Sequence, residues 1–245
     1  MINKSALSVN EQTSGRLDKI RYRGLLDILI AYIPLLFLGV IGTWLGAGTL
    51  LGGMLITLGY VLTIAAASGV LKLRGSSWRE IGLARPQSWP RTVLLGIGTL
   101  VGAAIVSVVV TMIALNFPGL ATEPADVSRF NPMEGNLLLF LGYLLLAWTT
   151  IAFGEEMFFR AFLITRLGEV FNNTKLRWGL ALVGSSVAFG LAHYQEGPVG
   201  ILSTGAIGLL FGWIYLRTGR NLWVTIIAHG LLNSLRFMLV YLGAA

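Results

Sequence analysis

The sequence predicts an all-α fold: a polytopic transmembrane bundle of about seven (six to eight) helices. Three observations predict it. The 245 residues are 55% hydrophobic and only 12% charged, with a mean hydropathy of +0.76, whereas soluble domains carry roughly 25% charge. Apolar runs of about eighteen residues or more, enough to cross a hydrocarbon core of about 30 Å as a helix, recur along most of the chain. Glycine is abundant at 31 residues, and small-xxx-small pairs such as Gly42/Gly46, Gly98/Gly102 and Gly208/Gly212 let helix backbones approach closely in lipid.

The spans fall near residues 25–45, 50–71, 92–116, 135–167, 179–193, 198–216 and 222–242. Residues 1–24 form a polar tail, expected to be cytoplasmic. The first run is therefore read as a retained anchor rather than a cleaved signal. Residues 25–245 make one transmembrane domain, and the distinctive motifs occupy about 135–242. Residues 72–91, which include Trp78, Arg79, Glu80, Ile81, Gly82 and Leu83, read as an amphipathic segment lying in the interface. The run at 135–167, broken only by Glu155, Glu156, Arg160 and Arg166, is too long for one upright helix. Its register is read as about 143–167, which brings the glutamates near mid-span.

Charge orients the bundle. Five Lys or Arg lie in the N-terminal tail, five in 72–91, four in 160–177 and two in 217–220, all on one side of the alternation. The exceptions are Arg129, in a loop with Glu123, Asp126 and Glu134, and Arg236, inside the last span. The N-terminus is expected in the cytoplasm of a bacterial or archaeal cell, with the lipid bilayer as a partner. The net charge of +7 is spread over loops rather than gathered on one face, so nucleic acid is not an expected partner. With no Cys, thiolate metal sites and cysteine nucleophiles are excluded.

Ionisable groups inside a span cost roughly 2.5 to 3.5 kcal/mol on insertion scales, so each is a functional candidate. Glu156 and Arg160 are four residues apart and share a helix face, as an internal ion pair requires. Glu155 points about 100° away, free to face a cavity and act as a base. Phe189 and His193 have the same i, i+4 spacing, which stacks an aromatic ring beside the imidazole. His229 and Asn233 repeat it in the last span, where both could donate to a developing oxyanion. Arg236 lies one turn further on, placed to bind a carboxylate, pair with a glutamate or snorkel outward. No H-E-x-x-H helix, phosphate loop or G-x-S-x-G elbow is present.

In order, these residues spell E-E-x-x-x-R, F-x-x-x-H and H-x-x-x-N, and over about 135–240 the chain resembles the CPBP family. That family groups CAAX prenyl endopeptidases with bacteriocin-processing and self-immunity proteins. The resemblance implies an intramembrane endopeptidase acting on a membrane-associated or lipidated peptide or protein. It implies that Glu155 and His193 activate a water, that His229 and Asn233 stabilise the oxyanion, and that Glu156 and Arg160 support them. Zinc (Zn2+) held by Glu155, His193 and His229, and metal-free hydrolysis by the same groups, both stay open. The alternatives are a non-catalytic scaffold or immunity protein using the same cavity, and a transporter, for which no inverted repeat is visible.

A ruler challenges this grouping. At ~1.5 Å per residue, His193 stands ~24 Å from Arg177, whereas His229 stands ~12 Å from the Arg217/Arg220 turn. Straight upright helices would keep the two apart. A break at Gly197-Pro198 is the expected remedy, because irregular backbone is tolerated where it lines a polar cavity.

Overall fold

The computed structural model describes residues 4–46, 49–117, 119–120, 128–172 and 174–244, with side chains from residue 20 onward except those of Ser128 and Arg129. Glu123, Asp126 and the Arg129 side chain thus lie outside the described residues, as do the tail side chains before Ile20. The described residues are almost entirely helical: α1 (Lys4–Trp44), α2 (Leu50–Leu73), α3 (Trp89–Ala114), α4 (Leu137–Val170), α5 (Arg177–Ala192), α6 (Gly197–Arg217) and α7 (Leu222–Tyr241). Six of these are long and apolar enough to cross a membrane, and α5, at 16 residues, is the short one. The chain is an integral, multi-pass membrane protein. The predicted spans recur with shifted edges, and α1 begins well inside the polar tail.

Local chemistry sets the helix starts. Thr49 Oγ1 accepts from Gly52 N, Asn136 Oδ1 from Leu139 N, and Asn221 Oδ1 from Trp223 N. Each satisfies a first-turn N–H that has no partner within its own helix. Pro34 interrupts α1, and the next N–H, on Leu35, is met across the interface by Thr63 Oγ1 at 3.1 Å. α1 packs on α2, α5 on α6, and α3 against α6 and α7.

The apolar windows of α1 to α4 and α6 are only 17–22% buried, against 44% for α7. The outer helices turn side chains such as Leu50, Leu94 and Leu138 outward, as lipid-facing helices do, while α7 is enclosed by its neighbours. Polar groups carried by α7 are therefore sheltered from lipid on most sides.

Two departures from the sequence reading bear on function. The 78–83 segment does not lie free as an interfacial piece. Ile81 and Gly82 are buried, Tyr215 donates to the Ile81 carbonyl (2.7 Å), Trp223 Nε1 donates to the Ala84 carbonyl, and Trp78 Nε1 donates to Ser68. The segment's hydrogen-bonding groups find protein partners, so it folds onto the bundle. The second departure is in α4, which runs unbroken from Leu137 to Val170. It contains two π-helical stretches, Ala147–Ala152 and Glu156–Leu163, on either side of Glu155. Such widened turns re-aim side chains without ending a helix and are frequent at functional sites.

Candidate active site

The glutamates lie near the middle of α4, and both are buried: Glu155 is 3% and Glu156 0% exposed. Glu156 Oε2 pairs with Arg160 Nε at 3.2 Å, the predicted i, i+4 bridge. Its other oxygen, Oε1, accepts from His229 Nδ1 at 2.9 Å. One carboxylate thus joins a cation on its own helix to an imidazole on α7. Arg160 Nη1 and Nη2 have no hydrogen-bond partner among the described residues. Its guanidinium lies 4.0 Å over the Phe189 ring and 5.4 Å from the Phe211 ring. Cation–π attraction in a desolvated setting substitutes for the missing acceptors.

Phe189 is a junction. Its ring is also 4.8 Å from that of His193 and 6.2 Å from that of His229. The predicted Phe189–His193 contact is present, edge to face rather than stacked, and the same ring reaches a second histidine that spacing alone could not bring near.

Both histidines are tied at Nδ1. His229 Nδ1–H faces Glu156, and His193 Nδ1–H donates to the Phe189 carbonyl at 2.9 Å. A carboxylate or carbonyl partner requires the proton on Nδ1, which leaves Nε2 of each neutral ring unprotonated. His229 Nε2 lies 3.8 Å from Glu155 Oε2. That oxygen is buried and has no hydrogen-bond partner among the described residues, whereas Oε1 accepts from Tyr60 at 2.7 Å.

The break falls where the ruler requires it. α5 ends at Ala192, His193 caps it, a 3₁₀ turn covers Tyr194–Glu196, and α6 starts at Gly197, with φ +74°, followed by Pro198 in its first turn. A 16-residue helix rises only ~24 Å, less than the hydrocarbon thickness, so its end stops short of the far surface. Glycines in the motifs permit the close packing. A Cβ at Gly190 would meet the Ile201 carbonyl at 2.6 Å, and one at Gly230 would meet the Trp148 ring at 2.6 Å.

These elements enclose a cavity of ≈ 630 Å³ between α3, the α5–α6 break and α7, with His193, His229, Asn233 and Phe189 in its wall. Asn233 Nδ2 is buried there without a hydrogen-bond partner among the described residues. Arg236 sits at the same cavity, with Nη1 3.3 Å from Glu196 Oε1. Of the readings open for Arg236, the structure therefore shows the glutamate pair. Glu155 does not line the cavity wall as its facing suggested: it adjoins His229, while Tyr60 holds it from α2. Among the described residues no three His, Cys, Asp or Glu side chains converge as a metal would require. Glu155 and His229 approach each other, but the donor set as placed is two groups rather than three.

Spacing did not reveal Tyr60 or Glu196. Tyr60 sits in an otherwise generic apolar helix, and Glu196 immediately precedes a break whose position, but not whose direction, the Gly-Pro pair marks.

Residues 137–235 match the family model described as type II CAAX prenyl endopeptidase Rce1-like. CAAX prenyl protease 2 of Saccharomyces cerevisiae is 32% identical over 101 residues, covering 34% of this chain and 32% of that protein. The chain thus spans about a third of the length of the curated relative it matches. No solved structure matches it. All three motifs, from Glu155 to Asn233, fall inside the matched segment, so over these residues the chain is similar to the Rce1-like type II CAAX prenyl endopeptidases.

Proposed function

We propose that the protein is an intramembrane endopeptidase that hydrolyses a peptide bond of a membrane-associated or lipidated peptide or protein. The observation that carries this reading is the convergence of His193, His229 and Asn233 on one cavity, with the unpartnered Glu155 oxygen 3.8 Å from His229. The name of the yeast relative supports a prenylated CAAX-type peptide as the first substrate to try.

In this reading a water in the cavity is activated by His193 Nε2, which takes its proton as its oxygen attacks the scissile carbonyl carbon, with Glu155 assisting from behind the wall through His229, 3.8 Å away. Negative charge moves to the carbonyl oxygen. Asn233 Nδ2, a buried donor without a hydrogen-bond partner among the described residues, faces that charge as a fixed donor. His229 sits beside it in the cavity wall, its ring orientation fixed by Glu156 at Nδ1. Collapse of the tetrahedral intermediate breaks the C–N bond, and the abstracted proton goes to the leaving amine. Arg160 pairs with Glu156, and Phe189 packs against both imidazoles and the guanidinium.

The test is cleavage of a prenylated peptide by the full chain purified in detergent, with Glu155→Ala, His193→Ala and His229→Ala beside the wild type. Each loss of an acid–base group should lower kcat by roughly 10²–10⁴-fold. Turnover that persists in all three variants would overturn the mechanism. A chelator arm with zinc add-back separates metal-dependent from metal-free hydrolysis.

A further inference from the structure

A second cavity, of ≈ 500 Å³, lies at the end of the bundle that collects the basic residues. It is framed by the start of the apolar part of α1, the C-terminal ends of α2 and α4, the 76–81 segment and the α6–α7 turn. Each contributes charge: Arg23 and Asp27, Arg74, Arg166 and Glu169, Glu80, and Arg220, respectively.

The acids there are already engaged. Asp27, 2% exposed, accepts a bidentate contact from Arg74, with Nη2 at 2.6 Å and Nε at 3.0 Å, and has Arg166 Nη1 3.7 Å away. Glu169 takes both its contacts from Arg166 Nη1, at 2.8 and 3.0 Å. Glu80 Oε2 accepts from Ser76 Oγ and Ser77 N. The cations are not used up in the same way. Arg23 makes no hydrogen bond or ion pair among the described residues, and Arg220 only lies with its guanidinium 4.5 Å over the Trp178 ring. Arg166 is 4% exposed, and its Nε is buried without a hydrogen-bond partner among the described residues.

The backbone supplies an independent sign. Arg220 has φ +65° and is the one non-glycine residue with positive φ among the described residues. Glycine or asparagine would be expected at such a position, and strain of this kind persists where the surroundings hold it. The 78–83 segment does so: a Cβ on Gly82 would meet the Arg220 carbonyl at 2.5 Å. An arginine is thus kept in an unfavourable conformation at the rim of a cavity that already holds a buried, incompletely paired arginine.

We infer that this cavity binds the phosphate group of an anionic phospholipid headgroup, held by Arg23, Arg220 and the Arg166 guanidinium. Guanidinium groups match phosphate oxygens in geometry and charge. The site lies at the helix ends, where a headgroup meets the protein, and basic pockets between spans recognise such lipids. It stands whether or not the first cavity, which shares no lining residue with it, cleaves peptides.

Native mass spectrometry of the full chain in detergent, titrated with phosphatidylglycerol or phosphatidylcholine, tests it. Wild type should retain one phosphatidylglycerol in preference to phosphatidylcholine, and Arg23→Gln with Arg220→Asn should reduce that preference by roughly tenfold or more. Asparagine tolerates positive φ, so thermal unfolding of lipid-free Arg220→Asn should show stability kept or raised, separating lost binding from lost folding. Arg85→Gln with Arg91→Gln, which removes two basic residues outside the cavity, should leave the preference intact. Equal binding of the two lipids by wild type, preference surviving in the first pair, or equal loss in the second pair would overturn the inference. Displacement by millimolar inorganic phosphate would assign the cavity to free phosphate and overturn the lipid assignment.

Discussion

Tyr60 on α2 donates its phenolic O–H to Glu155 Oε1 at 2.7 Å, leaving Oε2 beside His229. Tyr60 lies outside the matched segment 137–235, so a helix without any family motif orients the carboxylate of the candidate base. Tyr60→Phe keeps the ring and removes the donor. It should lower kcat by about 10-fold or more, the scale of lost orienting partners, with peptide KM little changed. Steady-state kinetics at matched folded fraction check this, since a merely structural defect would not separate kcat from KM.

Asn233→Ala removes a buried donor that has no other partner among the described residues. Loss of one oxyanion donor costs about 10²–10³ in kcat. Asn233→Asp, which keeps the shape but presents acceptors in place of the amide, should be no better than alanine. Single-turnover rates with a peptide substrate read both.

Removing Glu156 leaves Arg160 buried without its counter-charge. Breaking such a pair from one side costs about 3–5 kcal/mol, so Glu156→Ala should melt well below wild type in detergent. The double variant Glu156→Gln with Arg160→Met should recover much of that loss, because no unpaired charge is left buried. Activity should not return with stability, since His229 would lose its carboxylate. Thermal unfolding and cleavage, measured on the same samples, distinguish the two effects.

Two glycines provide a matched contrast. Gly230→Ala would press a methyl against the Trp148 ring at 2.6 Å, whereas a Cβ on Gly154, the residue before Glu155, meets nothing within 4 Å. Overpacking costs about 1–3 kcal/mol. Gly230→Ala should therefore lower the melting temperature and disturb His229, one residue away. Gly154→Ala should be neutral or slightly stabilising, because alanine favours helix.

The order of the spans, the short fifth helix and the i, i+4 pairings of Glu156 with Arg160 and Phe189 with His193 were legible in the sequence. Hydropathy and helical spacing are local properties, and each element carries its own signature. The break at Gly197-Pro198 was legible for the same reason, since both residues act on their own backbone. The folding of 78–83 onto the bundle was not, because an amphipathic pattern is equally served by lipid headgroups or by a protein surface.

By itself, then, the sequence determined a membrane-embedded helical bundle and which residues share a face on each helix. Only the tertiary structure decided which faces meet: that Glu156 bridges Arg160 to His229, that Phe189 touches both imidazoles, and that Tyr60 holds one Glu155 oxygen while the other is left beside His229. The physical reason is that contacts between helices depend on tilt, rotation and depth. Those are set by close packing at positions such as Gly190 and Gly230 and by the widened turns of α4, none of which leaves a periodic trace in the chain.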